Sequence, residues 1–199
     1  MNGLIHGLAG TVSLGGAAWM MNAAIRAGDI LMIVGCASFA VSLTIVFAMS
    51  TLSHVVRPPR LRQLFRTLDQ ASIYLLTAGS CTPFFLRYLV PHGWGWMLSA
   101  LWGIALFAVW AKLRGDRVNS VSIGFNLLLG WFPILAARPL LTNMPTGCLS
   151  LVIGAGACYM IGVVFLSWDE RCRFFHSIWH TFVVAGSACT WAGIVWYVI

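Results

Sequence analysis

Residues 30–54 read ILMIVGCASFAVSLTIVFAMSTLSH and contain no Asp, Glu, Lys or Arg. A stretch of this length can cross the hydrocarbon core of a bilayer as an α-helix, which needs about 20 apolar residues. The whole chain shares this character, since 60% of its 199 residues are hydrophobic, only 9% are charged, and its mean hydropathy is +0.87. A soluble surface needs far more charge. We therefore predict an integral membrane protein.

Apolar stretches of similar length recur along the chain. Seven spans are expected, at about residues 4–25, 30–54, 70–90, 94–111, 118–137, 147–167 and 174–199. Short polar connections separate them: RAGD (26–29), RPPRLRQLFRT (57–67), PHG (91–93), KLRGDR (112–117), the stretch around TNMPTG (142–147) and WDERCR (168–173). The prediction is an all-α, seven-transmembrane helix bundle that forms a single domain over residues 1–199. The first basic residue follows the first span, so we expect a permanent helix rather than a cleaved signal.

The basic residues indicate how the bundle is oriented. Nine of the twelve follow spans 2, 4 and 6, namely Arg57, Arg60, Arg62, Arg66, Lys112, Arg114, Arg117, Arg171 and Arg173. The positive-inside rule places this side in the cytoplasm, with the N-terminus inside and the C-terminus outside. The net charge of +7 is then a topology signal that also favours anionic lipid headgroups. No basic domain exists that could dock on nucleic acid.

Four ionisable side chains lie near the predicted cytoplasmic face. His54 ends span 2, Asp69 begins span 3, and His176 and His180 begin span 7. Because span 2 runs inward and spans 3 and 7 run outward, all four are expected at one depth. The charge pattern that predicts the topology does not involve them, so their shared depth is independent support for one site. Ionisable groups inside a bilayer are costly and mark functional sites.

His176 and His180 are four positions apart, which places both imidazoles on one helix face. The same spacing holds zinc in HExxH helices, but Ser177 stands where that motif continues with glutamate. Together with His54 and one water, the pair would form the open tetrahedral zinc site of an enzyme. A thiol-free histidine set favours zinc over redox metals.

Two polar residues could serve such a centre. Asp69 could hold the metal's water, whose pKa zinc lowers to about 7, or take its proton. It would also reduce the net charge buried with the metal. Ser50 lies one turn before His54 on the same face, where it could bind a substrate carbonyl or position Asp69.

Other interpretations of the histidines, lysine and cysteines are open. The three site histidines could instead hydrogen-bond across helices, or two of them could ligate haem. His6 is expected to be an interfacial helix-start residue and His92 a loop residue. The six cysteines form no CxxC pair and are expected to be small packing residues. Retinal is excluded, because the only lysine, Lys112, lies in a connection and not in the last span.

Several blocks along the chain resemble the hemolysin III proteins, the bacterial branch of the progestin and adiponectin receptor family. These blocks are NGLIHG (2–7), MSTLSH (49–54), LDQASIYLLTAGSCTPF (68–84), LLLGWFPIL (127–135), GACYMIGVVF (156–165) and FHSIWHTFVVAGS (175–187). The match runs nearly end to end. Two positions depart from the family pattern: Gln70 stands where histidine is common, and Cys81 where tyrosine is common. Neither has a ligand role, so the departures concern the shape and polarity of the pocket.

The resemblance implies a seven-helix bundle of the bacterial inner membrane with an intramembrane zinc near the cytoplasmic face. It implies the ligands His54, His176 and His180, with Asp69 and Ser50 beside the metal. Adiponectin receptor relatives are linked to ceramide amide hydrolysis, and the wider superfamily includes alkaline ceramidases. Bacterial members are linked to haemolysis and to membrane fluidity.

Three functions follow as hypotheses. The first is a zinc-dependent hydrolase that cleaves an amide bond of a membrane lipid, with Asp69 as general base and Ser50 at the carbonyl or oxyanion. The second is a non-enzymatic membrane sensor or receptor-like regulator in which a structural zinc joins spans 2 and 7. The third, a pore-forming haemolysin, is disfavoured because no span is lined with charge.

Overall fold

The computed structural model describes residues 2–115, 119–169, 171–172 and 174–199, with side chains from His6 onward except those of residues 119–123. These residues form eight α-helices, two short 3₁₀-helices and no strand. The α-helices are α1 (Asn2–Ala27), α2 (Ile30–Val55), α3 (Pro59–Tyr88), α4 (Trp96–Arg114), α5 (Asn119–Trp131), α6 (Ala137–Asn143), α7 (Thr146–Ser167) and α8 (Phe175–Tyr197). The 3₁₀-helices cover Val90–His92 and Phe132–Ala136. Arg117 and Arg173, two of the nine basic residues used for orientation, lie outside the described residues.

Six stretches of the described chain are long and apolar enough to cross a membrane: His6–Ala27, Ile30–Val55, Trp96–Arg114, Gly124–Asn143, Thr146–Ser167 and Phe175–Tyr197. Each carries large apolar side chains that face outward, among them Val12, Val41, Phe107, Leu135, Ile153 and Trp196. So many exposed apolar side chains suit a lipid environment rather than water. The prediction of an all-α membrane protein is confirmed.

We infer that α3 is the seventh crossing, although its composition is more polar than that of the other six spans. Its 30 residues would extend about 45 Å, more than a bilayer core requires. It contacts α2, α4, α5 and α8, and most of its side chains from Ala71 onward are buried. A helix surrounded by other helices does not need a lipid-soluble surface, which explains why α3 tolerates polar residues.

The predicted connection at residues 57–67 is largely wrong, because α3 already begins at Pro59. Proline is favoured in the first turn of a helix, where its missing N–H has no partner to lose. Leu61, Leu64 and Leu68 then recur at spacings of three and four, the period of an amphipathic helix. α3 thus projects two to three turns beyond the span that was predicted.

The fifth span begins at Asn119, close to the predicted start, but extends beyond the predicted end at residue 137. α5 ends at Trp131, a 3₁₀ segment containing Pro133 follows, and helix resumes as α6 to Asn143. Proline removes a backbone donor and interrupts the α-helix, while the apolar run continues beyond it. The expected connection around 142–147 is therefore helical at both ends, with a break only at Met144–Pro145.

Other predicted connections are close to those observed. Gly28 and Gly93 take positive φ angles of 76° and 83° in the first and third connections, a conformation that favours glycine. The Asp29 carboxylate accepts the Leu31 N–H at 2.9 Å and so caps α2. α4 extends to Arg114, three residues further than predicted. All six cysteines are free, and Cys36 and Cys148 are buried.

Helix packing brings α1, α2, α3 and α8 together at one end of the bundle. α2 packs closely on α3 and α1, and α8 on α7 and α1. The Trp191 indole donates to the Gly16 carbonyl at 3.0 Å, which ties α8 to α1. α2 and α7 end at the same end at which α3 and α8 begin, and we call it the histidine end.

Candidate metal centre

Three predicted ligands meet at the histidine end. His54 comes from the last turn of α2, and His176 and His180 from the first two turns of α8. One possible ligand atom from each of the three lies within 4.8 Å of the others. Among the described residues, these three histidines are the group of His, Cys, Asp or Glu side chains close enough together to bind one metal ion.

The three imidazoles converge from different directions. The Nε2 atoms of His54 and His180 are 3.3 Å apart. The His176 and His180 ring centroids are 4.5 Å apart at 90°, and those of His54 and His176 are 5.5 Å apart at 78°. Nitrogen atoms that face one another this closely can share a proton or direct their lone pairs at one cation. The arrangement can therefore bind a metal ion.

Asp169 is a site residue that the sequence analysis missed. Its carboxylate accepts the His176 Nδ1–H at 2.9 Å, and both side chains are about one-third exposed. With Nδ1 bonded in this way, the Nε2 lone pair of His176 is available to a metal. Asp169 lies in the turn between α7 and α8, so no helical period links it to His176. The one signal in the sequence was an acidic residue in the connection that leads into the histidine pair.

Asp69 and Ser50 lie beside the cluster rather than within it. Asp69 does not belong to the group whose ligand atoms approach within 4.8 Å. Its carboxylate instead accepts the Ser53 hydroxyl at 3.4 Å. Ser50 is fully buried next to Asp69, but its hydroxyl makes no hydrogen bond of good geometry with any described residue. Three histidines with no fourth ligand among the described residues leave room for a water or a substrate atom.

His6 is a correction to the sequence analysis, which expected an interfacial residue. It is only 2% exposed, and its ring lies 3.9 Å from that of His180, centroid to centroid. Neither His6 nitrogen, nor the Nδ1 of His180, has a hydrogen-bond partner among the described residues. The prediction for His6 is wrong because packing of α1 on α8 buries this position. His92 does lie in the predicted outer connection, as expected.

A cavity of about 1520 Å³ opens beside the histidines. His54, Asp69, His176 and His180 line one end, and apolar residues of α3, α6 and α7 line most of the rest. Gln70 and Cys81, the two departures from the family pattern, both border it. The cavity exceeds the roughly 300–1,000 Å³ usual for drug-sized ligands and is large enough for a lipid chain.

Comparison with known proteins shows the family of this chain. A sequence profile of the family described as "Haemolysin-III related" matches residues 1–191. "Hemolysin-3" of Bacillus cereus is 32% identical over 200 residues, which cover 100% of this chain and 90% of the relative. "Hemolysin-3 homolog" of Bacillus subtilis is 29% identical, with 100% and 93% covered. Human "Monocyte to macrophage differentiation factor" is 30% identical over 161 residues, 75% of this chain and 64% of the relative. The chain belongs to the haemolysin III family.

Proposed function

We propose that this protein is a zinc-dependent hydrolase that cleaves an amide bond of a membrane lipid and takes part in membrane lipid homeostasis. The observation that carries the proposal is the cluster of His54, His176 and His180 at one end of a lipid-sized cavity. The basic residues at the histidine end support a cytoplasmic position for the site in a bacterial inner membrane.

The donor set fits zinc. Three imidazoles without a thiol are the ligands of several catalytic zinc sites, in which the fourth position is open. Asp169 supports the fit, because a histidine that ligates metal usually donates its other N–H to a carboxylate or carbonyl. Asp69 and Asp169 would also offset the positive charge held at the membrane interface.

Zinc, when bound, would polarise a carbonyl and make a water molecule acidic enough to ionise near neutral pH. Asp69 would accept the proton from the attacking water and return it to the leaving amine. The Ser53 hydroxyl lies 3.4 Å from the Asp69 carboxylate, although its shorter hydrogen bond, at 2.8 Å, is to the Ser50 carbonyl. Ser50, whose hydroxyl has no well-formed bond in the described structure, would donate to the substrate carbonyl oxygen.

The first experiment is metal analysis of detergent-purified protein by mass spectrometry. Wild type is expected to contain about one zinc per chain, and His180→Ala to lose it, because three ligands are the minimum of such a site. His92→Ala is the matched control, since His92 lies on the opposite connection and bonds the Tyr88 carbonyl. A folded wild type that holds no zinc and cannot be reloaded would disprove the hydrolase.

Asp69→Asn separates the hydrolase from the alternative, a sensor held together by a structural zinc. In a hydrolase, the change should reduce turnover by a factor of about 10² to 10⁴, the usual contribution of a general base, while zinc content and Tm stay near wild type. If zinc content and Tm fall instead, Asp69 is a structural ligand and the sensor is favoured.

A further inference from the structure

One face of α3 borders the cavity over most of its length. The residues on this face include Arg62, Arg66, Asp69, Ile73, Leu76 and Phe84. Successive residues of this set are three or four positions apart, except Leu76 and Phe84, which are eight apart. These spacings place all six on one side of the helix. From the histidine end inward, the face is first cationic and then carries the carboxylate beside the metal cluster. Beyond it, apolar side chains alternate with Gln70, Thr77 and Ser80.

The distances along α3 follow from its helical rise. Arg66 is three residues from Asp69 and Arg62 is seven, which corresponds to about 4.5 Å and 10 Å along the axis. Arg62 and Arg66 therefore lie within about two turns of Asp69 along α3, on the side away from the apolar part of the cavity. Lys112 of α4 borders the same end of the cavity.

The two arginines are available to an anion. Both side chains are exposed, and neither forms an ion pair with a carboxylate of the described residues. The ion pair found among those residues joins Asp169 to His176. Arginine side chains four positions apart can together bind a carboxylate or phosphate group through charge-assisted hydrogen bonds.

We propose that the lipid cleaved at the histidine cluster is an acyl amide with an anionic headgroup, whose anion Arg62 and Arg66 bind. This rests on the proposed hydrolase activity and specifies its substrate class. The headgroup lies at the arginines, the amide carbonyl at the histidines, and the acyl chain in the apolar part of the cavity. Hydrolysis adds water across the C–N bond and releases a fatty acid and the amino headgroup.

The positive-inside rule accounts for arginines at this end of the bundle but not for their placement around the cavity. Arg60 also follows span 2 and is exposed, yet it does not border the cavity. It lies two positions from Arg62, which places it on nearly the opposite side of α3. Arg60 is therefore a matched control that has the same charge and the same helix but a different face.

The test compares two ligands with the same chain and amide bond, N-oleoylglycine, which is anionic, and N-oleoylethanolamine, which is neutral. Zinc-loaded protein in phosphatidylcholine nanodiscs is titrated with each, and dissociation constants are measured from tryptophan fluorescence. Wild type and Arg60→Gln should bind the anionic ligand about tenfold more tightly, and the Arg62→Gln/Arg66→Gln double variant should lose this preference.

Three results would overturn the anionic-lipid assignment. The first is that wild type binds the anionic and the neutral ligand with equal affinity. The second is that Arg60→Gln loses as much of the preference as the double variant. The third is that N-acetylglycine binds as tightly as N-oleoylglycine. The last would indicate a site for small anions only. Zinc content is measured on the same samples, so the two proposals can fail separately. If wild type cannot be loaded with zinc but still prefers the anionic ligand, the hydrolase proposal is disproved and the anion-binding site is not.

Discussion

At the scale of single residues, the site depends on which ring nitrogen of each histidine is free. A neutral imidazole has one nitrogen that donates and one that accepts, so the partner of the first decides the availability of the second. Asp169 makes this choice for His176. The His6 ring lies 3.9 Å from that of His180, whose buried Nδ1 has no hydrogen-bond partner among the described residues. The Nε2 of His180 faces that of His54.

Asp169→Asn should weaken zinc binding about 10- to 100-fold, the usual effect of removing a carboxylate that orients a metal-ligating histidine. The affinity is measured by competition with a chelator at fixed pH, and the absorption spectrum of the cobalt-substituted protein reports any change in ligand geometry.

Asp29→Asn is the control for this prediction. It makes the same chemical change at the cap of α2, where asparagine caps as well as aspartate. Asp169→Glu should restore part of the affinity. If Asp169→Asn binds zinc as tightly as wild type, the carboxylate has no role in presenting His176.

At the scale of helices, the contact between α2 and α3 holds His54 and Asp69 in register. Gly79 lies where the two helices approach closely: a Cβ atom there would lie 2.8 Å from the Ser38 carbonyl oxygen and would also clash with the Ser42 hydroxyl. A backbone atom cannot move aside as the end of a flexible side chain can. Small residues commonly allow such close approach in membrane bundles.

Gly79→Ala should therefore destabilise the fold by about 1–3 kcal/mol, the usual range for overpacking a close contact. Thermal unfolding in detergent measures the change as a lower Tm. Gly103→Ala in α4 is the control, because nothing lies within 4 Å of a Cβ atom at that position. If both variants melt at the same temperature, the close approach of α2 and α3 does not limit stability.

At the scale of the whole molecule, the charge pattern predicts which end of the bundle faces the cytoplasm. Arg60, exposed near the start of α3, belongs to the histidine end, and His92, also exposed, to the opposite end. The nine basic residues predict that the histidine end faces the cytoplasm. The cavity would then open toward the inner leaflet, where a substrate can enter sideways from the lipid.

Cysteine labelling in a cysteine-free background tests this orientation. A membrane-impermeant maleimide should modify His92→Cys in intact cells, and Arg60→Cys only after the membrane is permeabilised. The reverse pattern would invert the topology and place the site on the outer face.

The sequence alone determined the class of the protein and most of its candidate centre, since bilayer-length apolar runs, charge asymmetry and histidine spacing are local properties of the chain. Only the tertiary structure decided that His6 lies against His180 and that Asp169 orients His176. Both depend on how α1 and the turn before α8 pack against α8. Contacts between residues far apart in the chain, or across an irregular turn, have no periodic pattern that a sequence could display.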